Sequence, residues 1–169
     1  MADIDPDRLI WIVTGVQLKA ELGDRPLAYR IEKEIRERLA KLLDPPAPGE
    51  QPLLSPVVVS DVYYLNNDQA LKGPTISVGG PGTNALSASL FEQLPTAVTI
   101  EDTLVVQMDV EMNDMRCAVW GMNHLDTVQA VDTFIAKGYL DAFVQGVVES
   151  LEFESDDDGG GEHEGDDVE

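Results

Sequence analysis

His124 has the widest chemical reach of any side chain in the body of this sequence, because the only other histidine, His163, falls in an acidic C-terminal run. Asn123, directly before it, is a helix-capping residue type. That puts the imidazole at a helix start, where the positive end of the helix dipole disfavours imidazolium and leaves a neutral ring able to act as a base or a hydrogen-bond donor. A carboxylate from Asp61, Asp102 or Asp126 would orient such a base or help hold Mg²⁺, the set a small hydrolase or nucleotide-processing enzyme requires. The candidate catalytic residues are therefore His124, Asp61 and Asp126. The structural alternative for His124 is a turn or capping residue. Asp109, Glu111 and Asp114 could offer oxygen ligands to a hard cation, but alternation on a wet strand face gives the same pattern, and no metal set is assigned. Cys117 lies between Arg116 and Ala118 in a strand context, with no lysine cluster or helix start to lower its pKa, and reads as a buried inert thiol. No G-x-S-x-G nucleophile motif occurs.

A second chemistry is binding without turnover. Gly79-Gly-Pro-Gly-Thr-Asn84 lies between a short apolar run and a small-residue segment, and loops rich in Gly, Thr and Asn offer hydrogen bonds but no acid, base or nucleophile. Gly80, Gly82, Thr83 and Asn84 are the candidate ligand-binding residues, with a small anionic ligand or a partner protein as occupant. The plainer reading is that the glycines serve a tight strand-to-helix turn.

These residues need elements to position them. Leu9-Ile-Trp-Ile-Val13, closed by Thr14-Gly15, reads as a strand buried on both faces. Asp24 or Arg25 then caps a helix with Pro26 in its first turn, and Leu27, Ile31, Ile35, Leu39 and Leu42 or Leu43 form its buried stripe. Val57 to Leu65 is a second strand, with an early end at Ser60-Asp61 as the alternative, and Thr75 to Val78 is a third. A helix from Ala85 to Leu94 buries Leu86, Leu90 and Leu94. Ala97 to Ile100 is a brief strand, and Leu104–Val110 with Arg116–Gly121 forms a hairpin. Two helices close the body, one capped by Asn123 or Asp126 and burying Leu125, Val128, Val131 and Ile135, the other burying Leu140, Phe143 or Val144, Val147 and Leu151. Helices interleaved with apolar strands, plus one hairpin in the C-terminal half, specify an α/β three-layer sandwich on a mixed, mainly parallel sheet. In such sheets ligands bind beyond the carboxyl ends of parallel strands. Thr14-Gly15, Ser60-Asp61, Gly79 to Asn84 and Gly121 to Asp126 would gather along that edge.

Composition narrows the function. The 169 residues carry 32 acids against 11 bases, a formal charge of −21, and are 43% hydrophobic, which argues for a folded body and against nucleic-acid phosphate binding. Ten of the acids lie between Glu152 and Glu169, where there is no Lys or Arg, so residues 152–169 are expected to be a disordered acidic tail on a single domain of residues 1–151. No apolar run could span a bilayer, and the acidic start is unlike a signal peptide, so a cytoplasmic protein without membrane contact is expected, with homo-oligomers possible. The acidity of the body is equally compatible with a high-salt habitat.

Two resemblances add to this. Gly80-Pro-Gly-Thr-Asn-Ala85, followed 19 and 20 residues after Gly82 by Glu101 and Asp102, resembles the G-x-G-x-x-A fingerprint of Rossmann-like dinucleotide-binding proteins. It implies a pyrophosphate at the helix start and a ribose hydroxyl on Asp102, although Pro81 removes one backbone donor. Val78-Gly79-Gly80, Ala118-Val-Trp-Gly121 and Asp126-Thr127 look like the Rossmann-like modules of surface-layer and cell-wall-binding proteins. Separately, a third reading, an oligomeric or surface-lattice building block, predicts a large exposed apolar patch.

Overall fold

The computed structural model describes residues 5–157. After a 3₁₀ turn at Pro6–Arg8 come β1 (Leu9–Thr14), α1 (Leu18–Leu42), β2 (Ser55–Ser60) and α2 (Asp61–Leu65). A second 3₁₀ turn at Ala70–Lys72 leads to β3 (Thr75–Val78) and α3 (Ala85–Leu90). The chain ends with β4 (Thr96–Ile100), β5 (Leu104–Met108), β6 (Arg116–Gly121), α4 (His124–Ala136) and α5 (Tyr139–Asp157). One six-stranded sheet has the order β2-β1-β3-β6-β5-β4. Strands β2, β1, β3 and β6 are parallel, with Trp11 opposite Val57 and Thr75, and Thr75 opposite Arg116. The β5–β6 and β4–β5 pairs are antiparallel. The expected α/β sandwich on a mixed, mainly parallel sheet is the observed fold.

Alternation along the strands fills two cores. Ile10, Ile12, Ile76, Val78, Cys117 and Val119 point to the layer of α1, α4 and α5. Trp11, Val13, Ala118 and Trp120 point to the thinner layer of α2 and α3, where Tyr64, Leu86, Leu90 and Leu94 cover them. Because β2 lies on one side of β1 and β3 on the other, the connections diverge between β1 and β3, opening a crevice at their carboxyl ends.

Five local expectations are corrected. Helix α1 begins at Leu18, not at Asp24 or Arg25, and Pro26 sits inside it. The carbonyl that Pro26 leaves without an intrahelical donor belongs to Leu22, whose residue is 74% exposed, so water can serve it. The buried stripe of α1 accordingly starts about two turns earlier, as Ala20, Asp24, Ala28, Ile31, Ile35 and Leu39, and includes one charged residue. Strand β2 stops at Ser60, whose hydroxyl accepts from the Tyr63 amide and starts a helix where a continued strand was the first expectation. Helix α3 ends at Leu90, four residues short of the expected end, although Leu94 is still buried. On α4 the buried face is Thr127, Ala130, Val131 and Phe134, and Leu125 is 72% exposed. Helix α5 continues to Asp157, past the expected start of the acidic tail, and residues 158–169 lie outside the described residues. Among the described residues, no helix is long and apolar enough to cross a membrane.

Candidate functional site

Three loops at the carboxyl edge are tied together by side chains spent inside the protein. Asn84 is 1% exposed. Its amide donates to the Val13 and Val78 carbonyls (3.1 and 3.0 Å) and to Ser77 Oγ (3.0 Å), and its Oδ1 accepts from the Leu86 and Ser87 amides. The Ser87 hydroxyl donates to the Gly79 carbonyl at 2.6 Å. This buried network clamps the ends of β1 and β3 to the start of α3. Asp61, 4% exposed, accepts from the Val62 and Ala85 amides, both at 2.8 Å, so it serves two helix starts at once. Asn123 caps α4 by accepting from the Asp126 amide at 3.0 Å, and donates to the Asp126 carboxylate at 2.7 Å.

These bonds have a chemical consequence. The Ala85, Leu86 and Ser87 amides that would face an anion at the start of α3 are all donated internally, and the Thr83 and Asn84 amides close on the Gly80 carbonyl. Asp102 lies in the β4–β5 turn with φ of 54°. That turn is two to three strand spacings from β3, roughly 10–14 Å, so the structure does not bring Asp102 to the Gly80 loop. Of the fingerprint glycines, a Cβ on Gly82 would meet nothing within 4 Å. The glycines the fold requires are others. A Cβ on Gly15 would stand 1.7 Å from the Thr83 carbonyl oxygen, and Gly79 combines φ of +104° with a would-be Cβ only 2.4 Å from Asp24 Oδ2.

That contact leads to the residue sequence reasoning missed. Asp24 is 8% exposed and projects from α1 against the Gly79 turn, beside His124, Lys19 and Thr83. Burial raises its pKa above the ordinary carboxylate value, while the charges of His124 and Lys19 and the Thr83 hydroxyl act in the opposite direction. Among the described residues, Thr83 is the only side chain whose hydrogen bond bears on it, and that hydroxyl also lies 3.3 Å from the Gly80 carbonyl. A carboxylate can accept about four hydrogen bonds, so Asp24 has acceptor capacity to spare. The recoverable signal was the stripe spacing, which runs back from Ile31 through Ala28 and Asp24 to Ala20.

Asp24, Lys19, Thr83 and His124 line a cleft of about 560 Å³ with Gly80 and Gly82 at its floor and Phe91, Trp120 and Met122 as its apolar wall. The wall is fixed in place. Trp120 Nε1 donates to Gln107 Oε1, and Gln107 in turn donates to the Phe91 and Leu94 carbonyls at 2.9 and 3.2 Å. The Phe91 and Trp120 rings stand 5.9 Å apart. His124 is exposed, and its Nδ1 would be 2.9 Å from a Cβ on Gly23, so the absence of a side chain there lets α4 sit against α1. Neither Asp61 nor Asp126 lines the cleft. The carboxylate placed beside His124 is Asp24.

A larger hollow of about 780 Å³ lies at the opposite, amino edge, but its Arg116 is already committed to Asp114 at 2.7 and 2.9 Å. Among the described residues no three His, Cys, Asp or Glu side chains are grouped to hold a metal ion. Asp109 instead accepts from the Glu111, Asn113 and Asp114 amides and orders its own turn. Cys117 is fully buried, which pushes its thiol pKa well up.

The architecture is thus that of an α/β sheet with a glycine-floored, aromatic-walled crevice at its switch point. No protein-family model matches the chain, and no curated protein matches it significantly in sequence.

Proposed function

We propose that this protein is a cytoplasmic binding module whose carboxyl-edge cleft holds a small molecule, without turning it over. The observation that carries the reading is Asp24: a buried carboxylate with spare acceptor capacity, opening into an apolar-walled cleft of a size usual for small-ligand sites. Lys19 supplies the positive charge for an anionic group that the internally bonded α3 amides cannot. The test is a fragment screen by ligand-observed NMR on the full chain, repeated with Gly80→Val. A Cβ at Gly80 would have only ordinary contacts at 3.5 and 3.8 Å, both with residues that line the cleft, so Gly80→Val adds bulk there, and an unchanged thermal unfolding curve checks that the variant is folded. Hits that vanish in Gly80→Val support the reading, and a screen without hits, or with hits indifferent to Gly80→Val, overturns it.

A second reading, hydrolysis, draws on one observation: His124 opens to the same cleft as Asp24 and Thr83. In that case Asp24 replaces Asp61 and Asp126 as the group orienting the base. Turnover of a bound ester or phosphoester that is lost in His124→Ala, with binding retained, would favour it over the first reading.

A further inference from the structure

Resting on the binding reading above, we propose that the ligand is a small zwitterion with a flat or branched apolar body, of the free α-amino-acid class, its ammonium on Asp24, its carboxylate on Lys19 and its body against Phe91 and Trp120. The cleft is divided by the sheet. Asp24 and Lys19 come from α1 on one side, whereas Trp120 faces the α3 side with Phe91 packed on it. Gly79 and Gly80 lie between the two halves and raise no side chain, so one ligand can lie across the strand ends with its charged head in one layer and its apolar body in the other.

Charge selects the head group. The carboxylate and the ammonium of the cleft, Asp24 and Lys19, stand five residues apart on α1 and are already coupled electrostatically. A simple amine satisfies Asp24 but meets the like charge of Lys19, and a simple carboxylate satisfies Lys19 but meets Asp24. A molecule carrying both charges on neighbouring atoms pairs each and leaves no like charges facing. Asp24 is also the buried member of the pair, and its spare acceptor sites are ones that a three-donor ammonium can fill.

The experiment is calorimetric titration of the full chain with aromatic and branched-chain L-amino acids, L-phenylalanine first, alongside 2-phenylethylamine and 3-phenylpropionate. The proposal expects each one-charge analogue to bind about 10- to 100-fold more weakly than L-phenylalanine, the loss typical of one charge-assisted bond. It also expects Asp24→Asn to erase the advantage over 3-phenylpropionate and Lys19→Gln the advantage over 2-phenylethylamine. Gly80→Val abolishes binding of all three. A one-charge analogue that binds as tightly as every amino acid tried, or fragment hits in the cleft with no amino acid among them, overturns the zwitterion and leaves the binding reading standing. A cleft that takes neither amino acids nor fragments overturns both.

Discussion

Replacing Gly79 by alanine separates two costs that the structure superimposes at one position. The first is backbone: φ of +104° is a conformation L residues rarely adopt, costing about 1–3 kcal/mol. The second is steric, because the new Cβ would stand 2.4 Å from Asp24 Oδ2 and 2.9 Å from its Cγ, and the carboxylate must move out of its seat. Overpacking of this kind costs about 1–3 kcal/mol more. Only the second cost depends on Asp24. In an Asp24→Ala background the nearest remaining contact of that side chain is its Cβ at 3.5 Å, an ordinary distance, so the steric cost disappears and the backbone cost stays. Urea unfolding of the four proteins should therefore give Gly79→Ala a larger penalty in the parent than in Asp24→Ala, with a coupling of about 1–3 kcal/mol. Equal penalties in the two backgrounds, to within about 0.5 kcal/mol, would refute the seating of Asp24 against this turn and the geometry of the cleft with it.

Asn84→Ala should destabilise by about 2–4 kcal/mol, since it removes a helix cap and leaves the buried Val13 and Val78 carbonyls without their donor. Asn84→Asp, which keeps the capping oxygen but turns an acceptor toward those carbonyls, should rescue none of it in thermal unfolding. Asp24→Asn tests the sign of a buried charge. Because the folded pKa of Asp24 is raised above 3.8, its contribution to stability is fully present below that pH and is lost as pH rises through the folded value. The variant should melt above the parent at pH 7, with the gap closing toward pH 3, and a parent that melts higher at pH 7 would contradict the desolvated placement. Cys117, fully buried and with its thiol pKa pushed up, should be silent to a thiol reagent in the native protein and react once per chain in denaturant.

The strands were legible because each is a local signal. Continuous apolar runs such as Leu9 to Val13, or alternation bounded by Pro and Asn, carry their meaning within a few residues. Helix starts were legible where the cap is also local, as at Asn123, but Pro26 misled because a proline in a first turn and a proline inside a helix look alike in sequence. Its placement depends on whether the preceding turn packs on something, and Ala20 and Asp24 do, under the ends of β1 and β3. Glycines failed for a related reason. Their mutual spacing drew attention to Gly80 and Gly82, whereas necessity at Gly15 and Gly79 comes from Thr83 and Asp24, which reach them across the fold.

The same distinction sorts the candidate site. Asn84, Asp61 and Asp126 were drawn from the sequence for their polar groups, and those groups are the ones the fold consumes to join loops, caps and strand ends. A residue that holds an edge together has little bonding capacity for a ligand, since each buried donor or acceptor must already be satisfied for the edge to form. The carboxyl edge therefore divides its polar residues by saturation. On one side stand the clamps, and on the other Lys19 and His124, which line the cleft, with Asp24 between them, tied to the loop by Thr83 alone among the described residues and keeping acceptor capacity. If that division is right, alanine at Lys19 or His124 should change melting temperature by less than about 2 °C, while alanine at Asn84 or Asp61 lowers it several-fold more. Equal losses across the four positions would mean that Lys19 and His124 belong to the frame, and the cleft would then have no uncommitted base to offer a ligand.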